Sequence, residues 1–552
     1  MSVAERVATG GRIAGAAALI AGLTMASRLV GFARIFVFSK AVGATELGDV
    51  YQAANTVPNI IFEIVAGGAL AALVVPLLAG PIARQDRDSV DDTASALLTW
   101  VLAVLVPLAV VVAAAAYPIM WLLKHNASPQ ALATGAAMLR VFAPQLPLYG
   151  MGIVLTGVLQ AYHRFAWPVL APLLSSLTVI GAYLTFFATQ PGSPDIPHVS
   201  TGGQLILSVG TTLGVVVLSL CLVIPARRLG LRLRPTLRIP LGQRGQVRSL
   251  AAVGVLTVVA QQFALAAAIV LVQWHTVHGS LVLFTQAQTV YLLPWAVLAV
   301  PVATSVYPVL ARAYATGEAE RFGRTLSGAS RSVLLLSGLG AAGLVALAQP
   351  LARLLVEVTR GVPDAGTLAA AIAWFAPGLL GYGLFALHSR ALYARGQNRS
   401  VAVATLLGWG AVTVASVGLA LVLPDRYRVP GVAAGNSLGM LVLGAVLVVL
   451  VARRTGRASV AGLPRSGGVA VLAGGLGAVA GVAVRLPLPA TPGVVGTAAQ
   501  GMLSGAAVVA VFAGTALIAD PRGVRPVFRT LARRLHRRPR ETGPGGVGGA
   551  AS

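Results

Sequence analysis

The sequence predicts an all-α integral membrane protein with about fourteen transmembrane helices. Hydrophobic residues make up 57% of the 552-residue chain and charged residues only 10%, whereas soluble domains are about 25% charged. Apolar runs long enough to cross a bilayer recur along the whole chain, and most basic residues lie in alternate connections between these runs. These observations exclude a soluble fold.

The transmembrane helices can be counted from the apolar runs. A bilayer core of about 30 Å requires about 20 apolar residues in a helix. The first run continues to about Phe38 without a persuasive cleavage site, so we interpret it as a membrane helix rather than a signal peptide. The candidate spans are 13–39, 47–80, 93–123, 131–162, 166–189, 204–225, 249–274, 280–311, 325–356, 366–393, 400–423, 429–452, 466–486 and 494–519.

The basic residues predict the orientation of the chain in the membrane. The net charge is +25, but the basic residues lie between apolar runs, which is typical of cytoplasmic loops and does not indicate a nucleic-acid partner. With the N-terminus inside, the outside loops hold six basic residues: Lys40, Lys124, Arg360, Arg426, Arg428 and Arg485. We therefore predict a multi-pass protein with both termini in the cytoplasm, whose basic loops and tail contact anionic lipids.

An internal repeat indicates two related halves. Residues 142–150 (FAPQLPLYG) match residues 375–383 (FAPGLLGYG) at six of nine positions, 233 residues apart. Each copy lies in the fourth helix of a six-helix set, so the two sets are predicted to be parallel lobes around a central path, as in alternating-access transporters. The predicted organisation is a first lobe at 1–225, a basic linker at 226–248, a second lobe at 249–455, an extra helix pair at 456–520 and a disordered basic tail at 521–552.

Two arginines in the first span are candidates for ligand binding. Arg28 and Arg34 lie within an apolar run, where a lipid-facing arginine costs about 2.5–3.5 kcal/mol. Both could instead line a cavity, where their planar guanidinium groups suit the oxygens of a diphosphate. The alternatives are that their side chains extend to the membrane surface or form ion pairs with Asp49 or Glu63.

Carboxylates are rarer than arginines inside the apolar runs. Glu63 is the carboxylate that lies deep within an apolar run. It could pair with Arg28 or bind a coupling cation or proton. Asp49 lies at the outer end of the second span, where helix capping and a functional role are equally favoured. We interpret Arg331 and Arg353, near the ends of their run, as extending to the membrane surface.

Other polar residues and motifs limit the functional classes. The glutamines of the seventh and eighth spans either line the path or form interhelical hydrogen bonds: Gln261, Gln262, Gln286 and Gln288. The chain has one cysteine, Cys221, and the sequence has no phosphate-binding Gly-Lys-Ser/Thr loop, zinc-protease motif or serine-hydrolase motif. We therefore predict a transporter, with no catalytic residues, metal site or cofactor.

The first two spans carry motifs that recur in a known family. The motifs are residues 24–34 (TMASRLVGFAR), Gly43-Ala44, Asp49, Pro58-Asn59, and Gly67-Gly68-Ala69 before Pro76. They resemble the MurJ (MviN) lipid II flippase family, within the multidrug/oligosaccharidyl-lipid/polysaccharide exporter superfamily. Fourteen spans, two six-helix lobes and a C-terminal helix pair agree with this resemblance over nearly the whole chain.

The resemblance implies a function in peptidoglycan synthesis at the bacterial cytoplasmic membrane. Members of the family move an undecaprenyl-diphosphate-linked precursor from the inner to the outer leaflet, driven by membrane potential or an ion gradient. By resemblance, Arg28 and Arg34 would bind the diphosphate and Asp49 would act near the outer gate. Pro58 and Asn59 would form a break that shapes the second helix, and the extra helix pair would hold the lipid tail.

The sequence departs from the family at two cavity positions. The family usually has arginine after Pro-Asn, where this chain has residues 60–63 (IIFE), and often has another arginine where this chain has residues 286–289 (QAQT). The arginines are thus missing at Phe62 and Thr289, which is consistent with a divergent branch, such as an actinobacterial one. The alternatives are an exporter of another polyprenyl-linked oligosaccharide or a drug, and a non-transporting scaffold that recruits cell-wall synthesis proteins.

Overall fold

The computed structural model describes residues 3–65, 74–190, 192, 195–236, 244–274, 278–361, 364–488 and 493–521. All regular elements in these ranges are helices, and β-type pairing is limited to one isolated bridge between Ala44 and Gly361. The predicted all-α class is therefore confirmed.

The first helix set precedes the basic linker. Its helices begin where the sequence provides capping residues, because the side chains of Thr45, Asp86, Ser128 and Ser200 each accept a hydrogen bond from a backbone N–H of the first turn. The set consists of α1 (Val3–Ala41), α2 (Glu46–Glu63), α3 (Val74–Ala83), α4 (Arg87–Ala114), α5 (Ala116–Leu123), α6 (Pro129–Phe142), α7 (Gln145–Ala161), α8 (Ala166–Thr189), α9 (Thr201–Leu220) and α10 (Val223–Arg227).

The second helix set follows the linker, and two further helices complete the described chain. The second set consists of α11 (Arg244–Gln273), α12 (Ser280–Pro294), α13 (Val300–Ala315), α14 (Ala319–Val358), α15 (Ala365–Phe375), α16 (Gly378–Ala394), α17 (Asn398–Val422) and α18 (Arg428–Thr455). A π-helical segment, Trp295–Ala299, joins α12 to α13. The extra pair consists of α19 (Leu463–Ala483) and α20 (Val494–Ala519).

Helix packing follows this division. Within the first set, α1 packs on α8, α8 on α9, α2 on α6 and α4 on α7. Within the second set, α17 packs on α18, α11 on α17, and α16 on both α14 and α18. The extra helices α19 and α20 pack on each other and on α14. The extra pair is thus attached to the second set through α14.

The number of membrane spans differs from the sequence prediction. In the described residues, 12 helices are long and apolar enough to cross a membrane, or 13 if the bent pair α15–α16 is one span. The prediction of fourteen spans is therefore not confirmed. The predicted span 47–80 is the difference, since it contains the short, partly polar α2 and residues 66–73, which lie outside the described part. Residues 237–243 of the predicted linker and 522–552 of the predicted tail also lie outside it.

The first copy of the repeat coincides with a helix break. Helix α6 ends at Phe142 and α7 begins at Gln145, because Pro144 has no N–H to continue the helical hydrogen bonds. The hydroxyl of Thr212 on α9 donates to the carbonyl of Val141 at 3.0 Å. The same hydroxyl accepts a hydrogen bond from the Gln145 side chain at 3.1 Å. A neighbouring helix thus satisfies a carbonyl that the break leaves free.

The second copy of the repeat is built in the same way. Helix α15 ends at Phe375, α16 begins at Gly378, and Pro377 lies at a bend of 43°. The hydroxyl of Ser437 on α18 donates to the carbonyl of Trp374 at 2.6 Å and accepts from the Gly378 N–H at 3.1 Å. In both sets, a hydroxyl on a neighbouring helix bonds the carbonyl of the residue before the repeated phenylalanine.

Ser437→Ala should destabilise the protein by about 1–3 kcal/mol, because it leaves the buried Gly378 N–H and the partly buried Trp374 carbonyl without their partner. The measurement is chemical unfolding of the full chain in detergent. Ser389→Ala is the matched control, because Ser389 is also buried but its hydroxyl bonds only the Phe385 carbonyl of its own helix. Equal losses in the two variants would contradict a special role for the bridging hydroxyl.

Candidate functional site

A buried carboxylate joins the two helix sets. Asp49, on α2 of the first set, is 2% exposed. Its oxygens accept hydrogen bonds from the backbone N–H groups of Gly279 at 2.7 Å, Leu281 at 3.1 Å and Val282 at 3.2 Å. The ammonium group of Lys124, also buried, lies 3.7 Å from the carboxylate. Asp49 is therefore neutralised by one side chain and three backbone groups.

The hydrogen bonds of Asp49 identify its structural role. The three N–H groups belong to the first turn of α12, where unpaired donors and the helix dipole both favour a negative charge. Asp49 thus caps the N-terminus of a helix in the other set, while Thr45 caps its own helix α2. The sequence left capping and function as equal alternatives for Asp49. The structure shows capping, in a position that fastens the two sets together.

Backbone contacts extend this junction. The N–H of Ala44 donates to the carbonyl of Arg360, and the N–H of Arg360 donates to the carbonyl of Ser39, both at 2.9 Å. The side chain of Gln286 on α12 donates to the Ser39 hydroxyl at 2.7 Å. We call this region the sealed end: residues 39–49, Lys124, residues 279–286 and residues 359–361.

Three glycines allow the close approach of the loops at the sealed end. Gly43, Gly279 and Gly361 have positive φ angles of 76°, 89° and 96°. A Cβ atom on Gly43 would lie 2.2 Å from the carbonyl oxygen of Arg360. A Cβ on Gly279 or Gly361 would lie 2.5 Å from the carbonyl oxygen of Ala44. Both the backbone conformation and the spacing therefore require glycine at these three positions.

The two candidate arginines of α1 are exposed and unpaired. The side chains of Arg28 and Arg34 lie outside the protein core. Within the ranges that the structure describes, neither arginine has a carboxylate within ion-pair distance. The predicted alternative of an ion pair with Asp49 is wrong, since Lys124 occupies that position. Both guanidinium groups are thus accessible to a ligand.

Tyr149 brings three of the predicted site residues together. Its hydroxyl donates to the Asn59 side chain at 3.0 Å, and its ring lies 4.4 Å from the ring of Phe62. The charges of Arg34 and of the exposed Glu63 both act on this hydroxyl. Arg34, Asn59 and Glu63 are therefore close to one tyrosine, which we call the Tyr149 cluster. Arg28 has no described contact with it, and Asp49 lies at the sealed end.

Two residues of this arrangement were missed in the sequence. Lys124 was interpreted only as an outside-loop residue, because nothing in the local sequence indicates that it pairs with Asp49. Tyr149 carried a usable signal, since it is one of the six residues shared by the two repeats. Its counterpart Tyr382 also lies in an aromatic group, with its ring 4.5 Å from that of Trp295.

The predicted glutamines of the second set have different surroundings. Gln261 and Gln288 line a cavity of about 60 Å³, together with Ser416 and Asn436. Gln286 is buried and forms the hydrogen bond to Ser39 described above. Interhelical hydrogen bonding is therefore confirmed for Gln286, whereas lining of the transport path by Gln261 and Gln288 stays a prediction.

A family model and the curated relatives of this chain carry the same family name. The family model described as "Lipid II flippase MurJ" matches residues 38–488. A lipid II flippase MurJ from Burkholderia cenocepacia is 26% identical over 393 residues, which cover 68% of this chain and 72% of the relative. A probable lipid II flippase MurJ from Rhizobium tropici is 27% identical over 430 residues, covering 74% of this chain and 75% of the relative.

Solved structures support the same fold. A lipid II flippase MurJ in an inward closed conformation superposes with a TM-score of 0.73 at 19% identity, covering 93% of this chain and 100% of that structure. An inward-facing multidrug resistance transporter of the MATE family and MOP superfamily superposes with a TM-score of 0.65 at 16% identity, covering 80% and 98%. These structural similarities establish the fold.

Asp49→Asn should open the sealed end. The substitution keeps the shape of the side chain but leaves Lys124 buried without its counter-charge, a loss of about 3–5 kcal/mol. The measurement is the distance between spin labels on the two sets, at Gln130→Cys and His278→Cys in a Cys221→Ser background. In Asp49→Asn, a larger fraction of the molecules than in the wild type should show long distances between the two labels.

The control for this experiment is Asp364→Asn. Asp364 also accepts hydrogen bonds at a helix N-terminus, from the N–H groups of Gly366 and Thr367, but within the second set. It should leave the label distances unchanged. Adding Lys124→Gln to Asp49→Asn should recover part of the short-distance population, because no buried charge remains. An unchanged distribution in Asp49→Asn would show that the junction does not depend on the carboxylate.

Proposed function

The chain belongs to the lipid II flippase MurJ family, and we propose that it moves a polyprenyl-diphosphate-linked peptidoglycan precursor across the membrane by alternating access. The family consists of flippases, which are transporters. The observation that carries the proposal is the junction of the two helix sets at one end, with exposed arginines on α1 beyond it. An alternating-access protein requires both a closed side and a ligand-accessible interior.

The proposed direction follows from the charge of the connections. Arginines are concentrated in the connections at the end opposite the sealed end, and basic residues accumulate on the cytoplasmic side of membrane proteins. In the proposed orientation, both termini are cytoplasmic and the sealed end faces outside. The protein would then be closed to the outside and would receive its cargo from the inner leaflet.

We assign the diphosphate to Arg28 and Arg34. They lie six residues apart on α1, about 9 Å along the helix axis, and no described carboxylate pairs with them. Guanidinium groups remain charged in the membrane and bind phosphate oxygens through two parallel N–H groups. Two such groups offset the charge of a diphosphate while it leaves water, which lowers the barrier to crossing.

Asp49 has a different proposed role from the arginines. Because its carboxylate is buried and fully engaged by α12 and Lys124, its function in this conformation is to hold the outer side closed. Opening to the outside requires these hydrogen bonds to break and the carboxylate, the ammonium group and the α12 N-terminus to regain water. Asp49 therefore controls release of the cargo rather than its binding.

Glu63 gives the Tyr149 cluster two opposite charges. Arg34 and Glu63 both act on the Tyr149 hydroxyl, and Asn59 adds a neutral polar group. A headgroup that carries an amine as well as a diphosphate would match this arrangement, with the ammonium at Glu63. Glu63 lies in the segment where the family usually has arginine, so the cargo of this chain would differ from the usual one in that part of its headgroup.

The second candidate function is export of another polyprenyl-linked oligosaccharide. The observation that favours it is the absence of arginine at Phe62 and Thr289, where the resemblance would place phosphate-binding charges. The aromatic contact of Phe62 with Tyr149 offers a stacking surface to a sugar or apolar group in place of that charge.

Complementation tests the first candidate directly. In a bacterium depleted of its own lipid II flippase, the wild-type chain should restore growth, and Arg28→Ala or Arg34→Ala should not. Loss of one charge-assisted contact, about 1.5–3 kcal/mol, predicts an affinity for the diphosphate lower by about tenfold or more. Arg321→Ala is the control, because Arg321 pairs with Glu318 on the surface. Rescue by both arginine variants would contradict the assigned role, and failure of correctly inserted wild type would favour the second candidate.

Glu63→Gln should remove a preference for an amine-bearing cargo. The wild type should bind a polyprenyl-diphosphate precursor with a free amine about tenfold more tightly than its N-acetylated form, since one charge-assisted contact is lost. Glu63→Gln should bind both forms alike, whereas Glu46→Gln, on the first turn of the same helix, should keep the preference. Equal binding of both forms by the wild type would contradict the role of Glu63 and leave the arginine assignment untouched.

A further inference from the structure

Two arginines meet where the extra helix pair joins the second set. Helices α14 and α19 run side by side in the same direction, since a Cβ atom on Gly338 would lie 3.0 Å from Ala470 and one on Gly481 would lie 2.7 Å from Ala346. Arg353 follows Ala346 by seven residues, about 10 Å along the helix axis, and Arg485 follows Gly481 by four residues, about 6 Å. The register therefore brings both side chains to the same end of the two helices.

The environment of Arg485 indicates that Arg353 lies near it. Burial of Arg485, and secondarily the charge of Arg353, lowers the pKa of Arg485 from its ordinary value. The Nε atom of Arg485 is buried and has no hydrogen-bond partner among the described residues. Two like charges are thus held within interaction distance, one of them with an unused donor.

Nearby carboxylates do not neutralise this pair. In the part of the chain that the structure describes, neither arginine has a carboxylate within 4 Å, although Glu357 lies one turn beyond Arg353. Asp364 caps α15 with its own oxygens. Residues 489–492, which follow α19, are Pro-Ala-Thr-Pro and contain no acidic residue. Within the described residues, this pair thus has no carboxylate as counter-charge, and an anion from outside the chain could supply one.

The surroundings identify the chemistry of this counter-charge. Arg353 lies in the last turns of α14 and Arg485 just after α19 ends, which is the depth of lipid headgroups for helices that span the membrane. The neighbouring side chains of Leu486 and Val495 are 79% and 83% exposed. A cation pair beside exposed apolar residues at this depth suits a phosphate attached to a lipid.

We propose that Arg353 and Arg485 form a binding site for a lipid phosphate at the sealed end, beside the extra helix pair. The sequence alone suggested that Arg353 merely extends to the membrane surface. Independent extension would let the two charges separate, whereas here the helix register and the buried Nε atom of Arg485 favour their staying together. The proposal does not depend on the identity of the transported cargo.

Two lipids could supply the phosphate. One is an anionic phospholipid of the surrounding leaflet, which would brace the extra pair against α14. The other is the diphosphate of the transported lipid, which would reach this depth once it had crossed to the sealed side. Both use the same chemistry, so the experiment compares them directly.

The test is lipid binding to the full chain by native mass spectrometry. The delipidated protein is titrated with phosphatidylglycerol, with phosphatidylcholine and with a polyprenyl diphosphate. The wild type should bind phosphatidylglycerol about tenfold more tightly than phosphatidylcholine, as expected for one or two charge-assisted contacts. Arg353→Gln/Arg485→Gln should lose this preference, and Arg353→Lys/Arg485→Lys should keep most of it.

The controls separate this site from general electrostatic attraction. Arg321→Gln/Arg324→Gln removes two charges that pair with Glu318 and Glu320 on the exposed first turns of α14, and it should keep the wild-type preference. Tighter binding of the polyprenyl diphosphate than of phosphatidylglycerol would assign the site to the cargo, and equal binding would assign it to bulk phospholipid. An unchanged preference in the glutamine double variant, with thermal unfolding like that of the wild type, would overturn the proposal.

Discussion

A carboxylate buried among apolar helices is stable only if nearby groups replace the water it has lost. For Asp49, these groups are three N–H groups at the start of α12, in the other helix set, and the ammonium group of Lys124. The partners depend on Asp49 in turn, because without it a buried ammonium group and the first turn of α12 would be unsatisfied. The glycines at 43, 279 and 361 bring the loops close enough for this arrangement. Asp49 and its partners at the sealed end thus stabilise one another, and no single contact accounts for the junction.

In the proposed transport cycle, the residues that close one end of the protein are different from those that bind the cargo. At the sealed end, Asp49 is buried and accepts hydrogen bonds from three backbone N–H groups. Arg28, Arg34 and Glu63, in contrast, are exposed and have no ion-pair partner among the described residues. A mutation at the seal should therefore change the balance between conformations, and one at the arginines should change affinity. The same separation distinguishes Asp49, which caps α12 at the sealed end, from the arginines proposed to bind the cargo.

Features that depend on residues close together in the sequence could be predicted, whereas contacts between distant residues could not. The apolar runs predicted nearly every membrane helix, and the prolines at 144 and 377 act within one helical turn, so the repeat correctly indicated equivalent positions in both halves. The count of fourteen spans is not confirmed, because α2 is short and partly polar and residues 66–73 of the same predicted span lie outside the described part. The partner of Asp49 could not be predicted, since Gly279 is 230 residues away and Lys124 has no distinctive local pattern. The Tyr149 cluster likewise depends on the packing of α7 against α2.

The bridging hydroxyls at the two helix breaks have a consequence for biosynthesis. The Val141 carbonyl and its hydrogen-bond partner Thr212 are 71 residues apart in the sequence, and the Trp374 carbonyl and Ser437 are 63 residues apart. During synthesis, each carbonyl is therefore made well before its partner. In a membrane, an unpaired backbone carbonyl is costly. A chain still emerging from the ribosome therefore holds an incomplete broken helix until α9 of the first set, or α18 of the second set, has inserted. Each set is accordingly the smallest unit that can be released into the bilayer with these carbonyls paired.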